Sequence, residues 1–191
     1  MHLNDSLGKS EKIQYVVCLH EQACAIAAEA YARVTNQPGL LMVTTGPGGT
    51  NALTGVAAAY IESTPMIVIS GQVKVMDQIR DQGIRQQGMQ ELDIVSIVKP
   101  ITKYAVMVTK PEEIRYHLDR AVYEATTSRK GPVWLDLPLD IQAMQIDEES
   151  LIGWQPETSD AQDVQAADVA LEQQVLQVIE ELNHAKRPVL L

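Results

Sequence analysis

Two uninterrupted apolar runs, separated by a glycine-rich turn and a helical segment, constrain the fold of this 191-residue chain most strongly. The runs are Leu40–Thr44 and Met66–Ser70, and neither alternates apolar with polar residues. A strand without alternation is typical of a parallel sheet that helices cover on both faces. The segment between the runs is rich in Gly and Ala, as in a closely packed helix. This order therefore predicts a βαβ unit.

The rest of the chain extends this pattern to a three-layer α/β/α fold with a mainly parallel sheet. Further strands are expected at Ile13–Leu19, Thr102–Val108 and Val133–Leu137, and helices at residues 3–7, Glu21–Val34, Glu91–Val98 and after Pro111. Val75–Met89 is rich in Gln and Gly without a core-forming period, which indicates a long loop. We expect one domain over residues 1–142, an acidic linker over 143–168, and a helix with the start of a strand over 169–191.

The charge distribution argues against nucleic-acid binding. The net charge is −10, but residues 1–146 carry 13 basic and 15 acidic side chains, and residues 147–183 carry 10 acids without Lys or Arg. No basic stripe is available to contact phosphates. We also expect no membrane span, no signal peptide and a cytoplasmic location. Cys18 and Cys24 are interpreted as small buried residues rather than metal ligands, since His20 alone does not complete a metal site.

Glu21 is the first candidate for chemistry. The apolar run before it is expected to deliver its carboxylate to the carboxyl edge of the sheet, where open α/β sheets bind ligands. A carboxylate there can act as an acid, a base or an anchor. The alternative is an ordinary first-turn residue of a helix, where the helix dipole favours an acid.

The turn from Gly46 to Asn51 is the second candidate. Its position between a strand and a helix is typical of a phosphate-binding loop, but no Gly-Lys-Ser/Thr is present. Asn51 stands where a dinucleotide fold has its third glycine, and Ser70-Gly71-Gln72 lacks the acid that would hold a ribose. The alternative is a helix N-cap at Thr50 or Asn51.

The order of several short motifs is more specific than any one of them. The chain contains in sequence His20-Glu21-Gln22, Thr45-Gly46-Pro47-Gly48-Gly49-Thr50-Asn51, Ser63-Thr64-Pro65-Met66-Ile67-Val68-Ile69-Ser70-Gly71-Gln72, Gln90-Glu91-Leu92-Asp93-Ile94-Val95, Lys99-Pro100-Ile101-Thr102-Lys103 and Gly131-Pro132-Val133-Trp134-Leu135-Asp136-Leu137-Pro138. Over about residues 3–142 this resembles the N-terminal, pyrimidine-binding domain of thiamine-diphosphate enzymes, above all the acetolactate synthase group. The resemblance implies an N-terminally truncated domain that lacks the family's first strand and its Gly-x-Pro-Gly turn.

The resemblance also implies roles for individual residues. Glu21 matches the Glu that hydrogen-bonds the aminopyrimidine of the cofactor and so activates it, and Gln90 matches a Gln that faces the substrate. Gly46, Pro47, Gly48 and Asn51 match the cofactor-binding side of the cleft. Two positions depart from the family: Met89 stands where acetolactate synthases have Phe, and Leu139 where many members have Lys. Both departures weaken acetolactate synthesis as the specific reaction.

By this resemblance the chain is the N-terminal fragment of a thiamine-diphosphate-dependent 2-oxoacid lyase or synthase, inactive alone and acting on a substrate such as pyruvate. The ligands of the Mg²⁺ that accompanies thiamine diphosphate lie in the family's C-terminal domain, so no metal ligand is expected here. FAD occurs in the family, but nothing in this chain supports it. A homodimer or higher oligomer is expected. The alternatives are a non-catalytic or split-enzyme subunit that pairs with a diphosphate-binding chain, and a generic nucleotide-binding domain.

Overall fold

The computed structural model of the chain describes residues 1–79, 83–156 and 158–189. These divide into two units, Met1–Trp154 and Gln155–Leu191. The regular elements of the first unit are α1 (His2–Lys9), α2 (Glu21–Thr35), β1 (Gly39–Val43), α3 (Pro47–Ile61), β2 (Met66–Gln72), α4 (Ile94–Val98), β3 (Tyr104–Met107), α5 (Ile114–Thr126), β4 (Pro132–Pro138) and α6 (Leu139–Ala143). Single 3₁₀ turns lie at Val75–Asp77, Lys99–Ile101, Pro111–Glu113 and Glu148–Ser150.

The four described strands form one sheet in the order β1-β2-β4-β3. Each neighbouring pair is parallel, and the register aligns Val43, Ser70, Asp136 and Met107 in one row near the carboxyl ends. The prediction of a parallel sheet in an α/β fold is therefore confirmed. The central strands β2 and β4 are almost entirely buried, as their unbroken apolar sequences require.

Helices cover the sheet in separate layers. On one face, α2, α3 and α4 pack around Trp134, Met66 and Val68, and α5 packs on the other face against Ile67 and Leu135. The three-layer prediction is confirmed. The α5 layer does not extend over β1. Leu40, which pairs in register with Ile67, is therefore 57% exposed.

The strand expected at Ile13–Leu19 is wrong. Residues 13–18 adopt no regular structure and do not enter the sheet, and Val16, Val17 and Leu19 are 86%, 76% and 104% exposed. An apolar run becomes a strand only where a neighbour completes its hydrogen-bond ladder and covers its side chains. No described element does so here.

The turn expected at residues 46–51 is also different from the structure. Helix α3 already begins at Pro47, and Gly46 is its N-cap at φ +60°. Gly and Pro are poor helix formers, but Pro is favoured at the first helical position, where its missing N–H needs no partner. The N-cap hypothesis for Thr50 or Asn51 is therefore wrong, since both lie inside the helix.

The remaining sequence predictions to compare with the structure concern the long loop and the C-terminal unit. The described part of Val75–Met89 is a loop with one 3₁₀ turn, as predicted, while residues 80–82 of that prediction lie outside the described residues. Helix α7 spans Thr158–His184, so it begins within the expected linker. The strand expected after Arg187 lies partly outside the described residues, and residues 188–189 have no regular structure. Among the described helices, none is long and apolar enough to cross a membrane.

Candidate active site at the carboxyl edge of the sheet

Glu21 is the first residue of α2, and the preceding His20 caps that helix by accepting a hydrogen bond from the Gln22 N–H at Nδ1, 3.1 Å away. Glu21 is half-buried, and its Oε2 accepts a hydrogen bond from Asn51 Nδ2 at 3.2 Å. Its own backbone N–H and the Asn51 amide hold the pKa of this carboxyl below its usual range. The side chain is therefore an ionised acceptor at neutral pH.

Close packing of α2 and α3 brings Glu21 to Asn51, although 30 residues separate them. One turn further along each helix, Ala25 faces Gly55, and a β-carbon on Gly55 would stand 2.6 Å from the Ala25 Cβ. The helices can approach this closely because the contact is made of the smallest side chains. The alanine-rich composition of the two helices thus determines the geometry of the Glu21–Asn51 pair.

Glycines at the start of α3 allow close contacts beside the carboxylate. A β-carbon on Gly48 would stand 3.6 Å from Glu21 Oε1 and 2.6 Å from the Thr44 methyl group. At Gly46 a β-carbon would collide with the Gln90 carbonyl oxygen, so residue 46 must be glycine both for this contact and for its positive φ. Gln90 itself has φ +61°, an uncommon backbone conformation for a non-glycine residue.

The predicted site residues therefore lie in two contacting groups. Glu21, Gly48 and Asn51 form one group, and Gly46 and Gln90 form the other, with Pro47 exposed between them at the first position of α3. The side chain of Gln90 is exposed, and a direct contact with Glu21 is not among the described hydrogen bonds. Their catalytic and cofactor-binding roles stay predictions.

A cavity of about 370 Å³ opens at the same edge of the sheet. The residues that follow β1, β2 and β4 line it, together with the loop before Gln90; they include Thr44, Thr45, Gln72, Lys74, Met89 and Gln142. Gln142 donates to the Leu137 carbonyl at 2.7 Å, while its buried Oε1 has no hydrogen-bond partner among the described residues. This oxygen is closed to solvent, so it is a buried acceptor that no described group satisfies.

Sequence reasoning missed a buried polar network below this cavity. Asp136 Oδ1 accepts from Ser70 Oγ at 2.5 Å and Oδ2 accepts from Gln72 Nε2 at 2.8 Å, while Trp134 Nε1 donates to Ser70 Oγ at 2.7 Å. Burial raises the pKa of Asp136 to about 7. The signal was present in the sequence, because Asp136 is a lone acid within an otherwise apolar strand.

The described residues offer few groupings of side chains that could bind a metal ion. Among the residues that it describes, no group of three or more His, Cys, Asp and Glu side chains is arranged to hold a metal ion. Cys18 and Cys24 are free and half-buried, rather than fully buried as expected, and burial raises the pKa of the Cys24 thiol.

Comparison with known proteins identifies the chain's relatives. Residues 1–97 match the family model described as thiamine pyrophosphate enzyme, N-terminal TPP binding domain. The chain is 34% identical to the acetolactate synthase large subunit of Lactococcus lactis subsp. lactis (strain IL1403) over 189 residues, 99% of this chain and 31% of that protein.

Two further relatives are similar over a shorter part of the chain. The acetolactate synthase isozyme 3 large subunit of Escherichia coli (strain K12) is 40% identical over 74% of this chain and 24% of its own length. The probable acetolactate synthase large subunit of Methanocaldococcus jannaschii is 39% identical over 81% and 26%. The chain spans about a third or less of the length of these relatives. It belongs to the thiamine pyrophosphate enzyme family, in which it corresponds to the N-terminal TPP-binding domain and resembles acetolactate synthase large subunits.

Proposed function

We propose that the chain supplies the pyrimidine-binding half of the active site of a cytoplasmic, acetolactate synthase-like 2-oxoacid lyase or synthase. The observation that carries the proposal is the ionised Glu21 carboxylate, which Asn51 orients beside Gly48 at the start of α3. The substrate is a 2-oxoacid such as pyruvate. As part of this proposal, the pyrimidine-binding domain comprises residues 1–142, and a linker begins at residue 143.

Thiamine diphosphate fits the residues that are present. Its aminopyrimidine is a flat ring with hydrogen-bonding nitrogens, and the ionised Glu21 carboxylate at the start of α2 offers these nitrogens an acceptor. When bound, this cofactor supplies an electron sink for the loss of CO₂ from a 2-oxoacid. Gly46, Pro47, Gly48 and Asn51 would hold the ring, while Mg²⁺ and its ligands would come with the diphosphate-binding part.

Glu21 would accept a hydrogen bond from the protonated ring nitrogen and stabilise that protonation state. Asn51 would fix the direction of the carboxylate by holding Oε2. Gln90, next to the cavity, would face the substrate. These are positions for binding and proton control; the chain is expected to be inactive alone.

A second polypeptide surface would complete the site. We propose a homodimer or higher oligomer through α2 and α3, because Ile26, Tyr31, Val34 and Ile61 on these helices are between 47% and 87% exposed. Apolar side chains concentrated in this way are typical of an interface. Sedimentation of the purified chain should show a concentration-dependent dimer, which a charge at Tyr31 would weaken.

The proposal is tested by mixing this chain with the C-terminal part of an acetolactate synthase large subunit and titrating thiamine diphosphate with Mg²⁺. We expect pyruvate-dependent CO₂ release from the mixture and from neither part alone. Glu21→Gln should lower the rate by about 100-fold or more, the usual contribution of a general acid–base group.

Glu29→Gln is the matched control, because Glu29 lies two turns further along α2 and pairs with Arg33 away from the site. It should leave the rate unchanged. An unaltered rate in Glu21→Gln would contradict the role of Glu21. A mixture that binds thiamine diphosphate but releases no CO₂ would instead favour the alternative of a non-catalytic partner subunit.

A further inference from the structure

Gln72 connects the two chain segments that form the candidate site. Its Nε2 donates to the Leu92 carbonyl and to Asp136 Oδ2, both at 2.8 Å, and its Oε1 accepts from Thr45 Oγ1 at 3.1 Å and from the Val73 N–H at 2.9 Å. These four bonds use the full capacity of the amide. The orientation of the amide is fixed, because the Val73 N–H can only donate and so must face Oε1.

The two ends of this connection are close in sequence to the site. Thr45 precedes Gly46, and Leu92 follows Gln90, whose carbonyl packs against Gly46. Gln72 is only 6% exposed, so water competes little for these hydrogen bonds. It spans the gap between the end of β1 and the segment that carries Gln90.

We propose that Gln72 is a positioning residue that holds the Thr45–Gly46 turn against the Gln90–Leu92 segment, and that ionisation of Asp136 tightens this hold. These hydrogen bonds do not depend on the proposed function. The inference rests on that function only where an effect on catalysis is expected from them. A hydrogen bond to a carboxylate is about twice as strong as one to a neutral carboxyl group. The Gln72–Asp136 bond should therefore strengthen when Asp136 loses its proton.

The proton of Asp136 also determines the direction of a neighbouring hydrogen bond. In the ionised state Ser70 Oγ donates to Oδ1 and accepts from Trp134 Nε1. In the neutral state Oδ1 would carry the proton and donate to Ser70 Oγ, while Oδ2 would still accept from Gln72. Ser70 Oγ, the acceptor of the Trp134 indole N–H, therefore donates to Asp136 in one state and accepts from it in the other. The indole N–H resonance should report this change and hence the protonation state of Asp136.

Among the residues that the structure describes, few other charges act on this carboxyl group. Asp93, the N-cap of α4, is the charged residue whose field reaches Asp136, and it raises the pKa of Asp136 further. Within the Gln90–Leu92 segment, partial burial acts to raise the pKa of Glu91, but the N–H groups of Ile79, Gln87 and Gly88 outweigh it and lower that pKa. Glu91 therefore stays ionised near neutral pH and does not titrate with Asp136.

The experiment follows the Trp134 indole N–H resonance and the amide exchange of residues 86–92 in the 191-residue chain between pH 5.5 and 8.5. A Trp154→Phe background leaves Trp134 as the remaining tryptophan. We expect the indole shift to titrate with a midpoint near pH 7, and protection factors at the Gln87 and Gly88 amides to rise about fivefold across it.

Asp136→Asn, which resembles the neutral acid, should abolish both transitions. Gln72→Met should remove the pH dependence of amide protection but keep the indole transition, and Gln78→Met is the matched control that should keep both. If Asp136→Asn does not fold, Asp93→Asn provides the test, because it retains the α4 cap and should move the midpoint to lower pH. An indole midpoint below about pH 5, an unchanged midpoint in Asp93→Asn, or pH-dependent protection in Gln72→Met would overturn the proposal.

Discussion

Gly55→Ala tests whether close packing of α2 and α3 builds the candidate site. The new β-carbon would stand 2.6 Å from Ala25 Cβ and 2.9 Å from the Ala25 carbonyl carbon and the Ile26 nitrogen, where ordinary contacts are 3.4–4 Å. Two of these three atoms belong to the backbone, so the helices must separate rather than one side chain rotate. Overpacking of this kind costs about 1–3 kcal/mol. The better helix propensity of Ala offsets about 1 kcal/mol of that.

The net expectation is a loss of about 0–2 kcal/mol in the free energy of unfolding, which lowers the unfolding temperature by up to roughly 8 °C in a chain of this size. Calorimetry or urea unfolding measures it. Gly8→Ala is the control, because Gly8 lies in α1 with nothing within 4 Å of the added carbon. That variant should gain up to about 1 kcal/mol from helix propensity alone.

The same substitution should act on the site, because Gly55 and Ala25 lie one turn beyond Asn51 and Glu21. Separation of the helices would lengthen the Glu21–Asn51 hydrogen bond, and the pKa of Glu21 should rise towards its ordinary value. Carboxyl ¹³C NMR measures that pKa. If Gly55→Ala stabilises the chain as much as Gly8→Ala and leaves the Glu21 pKa unchanged, the packing argument is refuted.

Three further predictions follow from other contacts. Asn51→Ala should raise the pKa of Glu21, again measured by carboxyl NMR, while unfolding stability at neutral pH changes little. Asp136 has a folded-state pKa near 7 against an ordinary 3.8, so the folded chain keeps a proton that the unfolded chain releases, and stability should fall by up to about 4 kcal/mol between pH 4 and 7. Urea unfolding at pH 5 and 7.5 should show about 2–3 kcal/mol of that fall in the wild type and not in Asp136→Asn. His117, whose pKa burial lowers, is common to both chains and cancels. Lys103→Met should cost about 1–2 kcal/mol in urea unfolding, because the ammonium group donates to two carbonyls at the C-terminal end of α5.

The parts of the fold that could be predicted from sequence are those in which local composition and tertiary burial agree. The apolar runs at Leu40–Thr44, Met66–Ser70 and Val133–Leu137 became β1, β2 and β4, and the helix expected at Glu21–Val34 ends one residue later. The position of Glu21 at the start of α2 follows from the same pattern. Each of these segments forms its structure with neighbours that are present in the chain.

The errors arose where composition and environment disagree. The Ile13–Leu19 run has strand composition but no described neighbour, so its apolar side chains are exposed. The first turn of α3 has a poor helix sequence, but its glycines are required by tertiary contacts: Gly46 meets the Gln90 backbone and Gly49 packs near Ile94 and Trp134. Such contacts join residues 44–85 positions apart, and no local pattern encodes them.

The two acids at this edge of the sheet show why a perturbed pKa alone does not identify a functional carboxylate. Asp136 has the strongly raised pKa that is typical of active sites, but Ser70 and Gln72 occupy both of its oxygens and burial separates it from any ligand. Glu21 is only half-buried, and its pKa is lowered. Sharing a proton with a ring nitrogen requires the opposite environment, in which the carboxylate is shielded from water. That shielding is not provided by the described residues around Glu21, so the proposed role of Glu21 requires that the ligand and the proposed second polypeptide surface supply it in a closed, assembled site.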